Sequence, residues 1–93
     1  MKELRFSTQY KKDVKRFRNQ PKKMEKVAEI LRKLRDEEPI PEINRPHMLT
    51  GNYAGCMECH VEGDFLLIWI DETDWCIASR LPFRTVRLIT MRD

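Results

Sequence analysis

The sequence has no apolar run approaching the roughly 18 residues that a bilayer-spanning helix requires. Its opening, MKELRF, also lacks a signal-peptide apolar core. A cytoplasmic protein without membrane contact is expected. With 93 residues there is room for one domain of two packed layers, spanning 1–93, and none for a second. No repeat, low-complexity segment or interdomain linker breaks the chain. Cysteine is limited to Cys56, Cys59 and Cys76. An odd count without an export signal favours reduced thiols over a disulfide framework. Cys56 and Cys59 form a C-x-x-C beside His60, but a structural zinc site usually needs a second ligand pair. Strand alternation also sends residues three apart to opposite faces. Buried thiols, and no metal or other cofactor, are the expectation. No recognition-helix motif stands out, which weighs against a DNA-binding accessory.

Charge is plentiful but unevenly placed. Residues 1–35 hold 13 Lys and Arg against 4 acids, residues 36–79 hold Arg45 against 10 acids, and residues 80–93 hold 4 arginines against Asp93. A basic start and end around an acidic middle suits a polyanionic ligand or an acidic partner, although solvated helix faces would give the same count. Hydrophobic residues at 41% with 35% charged residues are a globular balance.

The periodicity predicts an α+β fold. Lys2 to Phe6 alternates as a short strand, and Ser7 stands at an N-cap position. Tyr10, Val14 and Phe17 then line one face of a helix over 8–18. A second helix over about 22–36 is marked by Met24, Val27, Ile30, Leu31 and Leu34, with Pro21 at its first turn. EEPIPEINRP carries three prolines in ten residues and reads as a stiff connector to His47. Tyr53 to Glu62 reads as a strand with Glu58, His60 and Glu62 on one face and Met57, Cys59 and Val61 on the other. Gly63 and Asp64 form a hairpin turn into FLLIWID, a covered central strand. Thr73 and Asp74 are expected to turn again into WCIASR. RTVRLI is a final strand or a short helix. The sum is an antiparallel meander with a two-helix hairpin packed on one face.

The concentration of proton-transfer groups between His47 and Phe65 sets the functional reading. His47, Leu49, Gly51, Glu58 to Asp64, the following Phe65-Leu-Leu-Ile, and Arg80 resemble the YafQ branch of the RelE/ParE toxin superfamily. The resemblance covers order and length over nearly the whole chain. It implies a type II toxin that cleaves messenger RNA on the ribosome and is neutralised by an antitoxin, with operator DNA a further partner of the complex. It implies catalytic roles for His47, His60, Asp64 and Arg80, and a base-stacking role for Phe65. Metal-free RNA cleavage requires such groups: a base at the 2′-hydroxyl, cations on the phosphate, and an acid at the leaving oxygen. Which of His47, His60 and Asp64 is the base stays open at this level. The family's late histidine is here Arg84, its final aromatic is Leu88, and the usual proline before Asp64 is Gly63. Arg84 and Arg87 are expected to face phosphate. The alternative is a non-nucleolytic binding module of the same fold, acting through its partner or as a gyrase inhibitor does.

Overall fold

The structure, a computed structural model, describes residues 1–76 and 81–93. Strand β1 (Glu3–Phe6) leads through the Ser7 N-cap, whose side chain accepts from the Tyr10 N–H, into α1 (Thr8–Phe17). Helix α2 (Pro21–Arg35) follows, with proline in its first turn. After a short 3-10 turn at Glu42–Asn44 come β2 (His47–Met48), a second turn at Gly51–Tyr53, β3 (Met57–Glu62), β4 (Phe65–Cys76) and β5 (Leu81–Arg92). The five strands form one sheet in the order β1-β5-β4-β3-β2. β2 to β5 are antiparallel neighbours, while β1 joins β5 in parallel.

Both helices cover the same sheet face. Tyr10 and Phe17 from α1 and Val27, Ile30 and Leu34 from α2 pack on Cys59, Val61, Phe65, Leu67, Trp69, Val86, Leu88 and Met91. The α+β architecture thus follows from the two amphipathic stripes. Two local expectations do not hold. β3 begins at Met57, because 51–53 closes a 3-10 turn. Thr73 and Asp74 do not turn: β4 runs straight through them, paired with Arg84 and Phe83. Cross-strand pairing with β5 from Leu66 to Cys76 overrides the weak turn preference of a Thr-Asp pair. The segment RTVRLI lies within β5 as strand. The last four residues of WCIASR, 77–80, fall outside the described residues.

β5 contains a bulge. Ile68 pairs with Thr90 but Trp69 pairs with Leu88, so Ile89 is the extra residue. The bulge shifts the side-chain phase by one, which is how Leu88 and Met91, three apart, both enter the helix-side core.

Cys59 is fully buried, and its thiol is pushed up to about 12, chiefly by burial and then by the charge of Glu58. Tyr10 is likewise pushed up to about 12 by burial and by Asp13. The unfolded chain releases these protons from the ordinary values of 9.0 and 10.0 upward, whereas the native state keeps them. Stability should therefore fall as pH rises from 9 to about 12. Urea midpoints measured across that range should decline, and less steeply for Cys59→Ala. Equal slopes would contradict the assignment.

Candidate active site on the sheet face opposite the helices

The connector is fastened to the sheet where the histidines are. The Asn44 side-chain amide donates to the His60 carbonyl at 2.8 Å. Arg45 then takes a left-handed backbone conformation, φ 48°, which a non-glycine residue adopts at a cost of about 1 kcal/mol. That turn sends the chain into β2, where His47 pairs directly opposite Glu58. Glu58 and His60 are two residues apart on β3, so His47, Glu58 and His60 share the face away from the helices. The two imidazole centroids lie 6.2 Å apart.

Hydrogen-bond counting separates the two rings. His47 Nδ1 lies 2.7 Å from the Arg45 carbonyl, and its Nε2 lies 3.1 Å from Glu58 Oε1. A carbonyl and a carboxylate only accept, so the doubly protonated ring satisfies both partners and the neutral ring only one. His60 Nδ1 lies 2.9 Å from the Gly63 carbonyl and must donate there. The neutral tautomer so fixed leaves Nε2 with a free lone pair. Glu58 is nearly buried, with 12% of its side chain exposed, which makes its pairing with His47 stronger than a surface contact.

Beside His60 opens a cleft of about 310 Å³ lined by Ile43, Arg45, Gly63 and Asp64. Gly63 is left-handed, φ 52°, and holds the tight turn that brings Asp64 back toward His60. His60 thus shares this cleft with Asp64 and has His47 on its other side, ring centroids 6.2 Å apart. Across β4, His60 pairs with Leu66, and Leu66 pairs with Arg92. The Arg92 guanidinium lies 6.0 Å from the Tyr53 ring centroid, above the same face.

The other expected residues fall elsewhere. Arg84 pairs opposite Thr73, seven positions along β4 from Leu66, or roughly 23 Å. Its side chain bonds Glu37 at 2.7 Å. Arg87 pairs opposite Ile70 and is held by Glu72 at 2.6 Å. Neither stands beside the histidines. Phe65 is 2% exposed, with its ring 4.8 Å from that of Phe17 and Lys23 Nζ 5.2 Å from its centroid. A ring enclosed in the helix-side core has no face to offer a base, so its stacking role is withdrawn. Glu62 follows a register shift after His60 and pairs with Lys26 of α2 at 3.0 Å, off the His60 face. Cys56 and Cys59 are both buried, but only Cys59 enters the helix-side core, so the C-x-x-C does not converge as a ligand pair. Arg80 lies outside the described residues.

Three residues were not singled out from the sequence. Glu58 was legible, since it sits two before His60 in an alternating strand. Arg45 was visible only as the lone base of an acidic stretch. Arg92 had no local signal, because its place depends on the length of the β4–β5 hairpin.

The sequence itself settles the class. Residues 2–86 match the family described as "Bacterial toxin of type II toxin-antitoxin system, YafQ". The chain belongs to the YafQ toxin family. The mRNA interferase toxin YafQ of Escherichia coli K12 is 33% identical over 69 residues, 73% of this chain and 75% of its own length. A chain of the E. coli DinJ-YafQ toxin-antitoxin complex superposes with a TM-score of 0.73 at 27% identity, over 97% of this chain and 89% of that one. The YoeB/ParE toxin of Agrobacterium tumefaciens shares the fold, with a TM-score of 0.76 at 15% identity over 97% and 96% of the two chains. The YafQ match ends at Val86, short of Arg92. Arg92 stands across Leu66 from His60, two strands away on the same sheet face, a position set by this chain's strand register.

Proposed function

We propose that this chain is a ribosome-dependent mRNA endoribonuclease that cleaves through the substrate's own 2′-hydroxyl, with His60 as the base. The observation that carries this reading is the pair of imidazoles 6.2 Å apart, one with Nδ1 on the Gly63 carbonyl, the other with each ring nitrogen on an acceptor oxygen. His60 Nε2 takes the 2′-hydroxyl proton. The freed oxygen attacks phosphorus, and the P–O5′ bond breaks. The 5′-oxygen leaves with a proton from His47, whose charged form Glu58 supports. A 2′,3′-cyclic phosphate and a 5′-hydroxyl result. Arg45 lines the cleft beside His60 and Arg92 projects from the same sheet face two strands away; their guanidiniums supply donors for the phosphate oxygens as charge builds on them. Asp64, at the mouth of the cleft, serves to orient the ribose hydroxyl or His60.

The site's own strand is acidic, so the RNA must be drawn in by other parts of the molecule. The basic first 35 residues supply that attraction. The same surface suits an antitoxin with an acidic segment, a partner of the kind named in the DinJ-YafQ complex, and through it operator DNA. No helix among the described residues is long and apolar enough to cross a membrane.

The test is a purified translation reaction with and without ribosomes. Cleavage of translated mRNA, with free mRNA left intact, supports the reading. Intact mRNA alongside arrested growth on expression would overturn it in favour of a non-nucleolytic module.

A further inference from the structure

Asp13 is a buried carboxylate that the cleavage chemistry does not use. It lies on α1 at 2% exposure. Its Oδ2 accepts from the Thr90 hydroxyl at 2.6 Å and from the Met91 N–H at 3.0 Å. Its Oδ1 accepts from Gln9 Nε2 at 3.0 Å and faces the Arg16 guanidinium at 3.7 Å. Arg16 in turn donates to the Met91 carbonyl at 3.1 Å. Both backbone polar groups of Met91 are thus held from α1. Ser7 does the same two residues earlier, its hydroxyl donating to the Ile89 carbonyl at 2.5 Å.

These bonds fall where β5 loses its neighbour. Pairing with β1 ends at Phe6 opposite Leu88, so from Ile89 onward β5 has β4 on one side and, among the described residues, no strand on the other. Ile89 is also the bulge residue. Open backbone groups at such a place invite slippage, and a slip of one residue turns every later side chain to the opposite face. The residue that follows Met91 is Arg92.

We propose that Asp13 is a positioning residue: by acting with Thr90 as the missing edge partner, it locks the bulge and keeps Arg92 on the His60 face, aimed at the scissile phosphate. The inference rests on the cleavage reading above. It gives α1 a part in the chemistry on the far side of the sheet.

The experiment is a double-mutant cycle on single-turnover cleavage, with folding checked by circular dichroism. Arg92→Gln should lower the rate constant about 100-fold, the usual cost of one donor at a developing oxyanion. Asp13→Asn retains shape but offers an amide where three donors and a guanidinium require a carboxylate. It should cost about tenfold in the rate constant, with little change in KM, and no more than about twofold on the Arg92→Gln background. Thr90→Val, which removes one of the two donors to Oδ2 and keeps the volume, replaces Asp13→Asn should that variant not fold. Equal losses in both backgrounds, or a lowered Tm with an unchanged rate constant, would make Asp13 structural only and overturn the proposal. So would wild-type cleavage that Arg92→Gln leaves undiminished. A wild-type protein that does not cleave at all would instead sink the cleavage reading, and this inference with it.

Discussion

Alanine at His60 is expected to lower mRNA cleavage by about 10²- to 10⁴-fold, the usual contribution of a positioned general base. Fold stability should barely move. Among the described residues the His60 side chain makes one hydrogen bond, to the Gly63 carbonyl, and losing it costs at most about 1 kcal/mol. Activity and stability are therefore predicted to separate at this residue. Single-turnover rates and thermal melts on the same preparation measure both. A variant that cleaves at wild-type rates would remove His60 from the mechanism and return the base to His47 or Asp64.

Phe65 should behave in the opposite way. It is buried against Phe17 and beneath the Lys23 ammonium, and alanine there should cost about 3–5 kcal/mol through lost transfer energy and a cavity. A domain of this size has only about 5–15 kcal/mol in total, so much of that variant will be unfolded at 37 °C. Phe65→Leu preserves an apolar filling and should cost about 1–2 kcal/mol while changing cleavage by no more than about twofold. If the ring stacked on a base, leucine would forfeit roughly 1–3 kcal/mol of binding, or about five- to 150-fold. Denaturant melts together with cleavage rates of Phe65→Leu distinguish the two roles.

The reading of Phe65 illustrates what sequence alone conveys. Its neighbours Asp64 and Leu66 place it at a strand start, where an aromatic can turn either way, and only the helix packing decides. The helices themselves were legible, because Ser7, Pro21 and the apolar stripes from Tyr10 to Leu34 combine capping with period. Asp13 was not, since an acid among lysines on an amphipathic helix reads as solvated until the bulge in β5 is seen beneath it.

Arg84 and Arg87 were misplaced for a related reason. A turn at Thr73–Asp74 would bring Arg84 back to the His60 end of β4. The strand instead continues to Cys76, and the residue that meets Leu66 is Arg92. The register so set carries Arg84 and Arg87 away from the histidines. The histidines were unaffected, because His47, Glu58 and His60 are placed by short-range pairing between β2 and β3, whose register depends on few residues. His60 was visible as a strand residue. That its Nε2 is the free nitrogen emerged only from the Gly63 carbonyl.

The chemistry of the cut ends tests the central claim most directly. Messenger RNA cleaved by the purified protein on translating ribosomes can be mapped and its termini identified by ligation and phosphatase sensitivity. Attack by the 2′-hydroxyl with His60 as base predicts 5′-hydroxyl ends facing 2′,3′-cyclic phosphates, or the 3′-phosphates that form from them. Ends bearing a 5′-phosphate and a free 3′-hydroxyl would mean that water, not the ribose, attacked phosphorus, and would contradict the account.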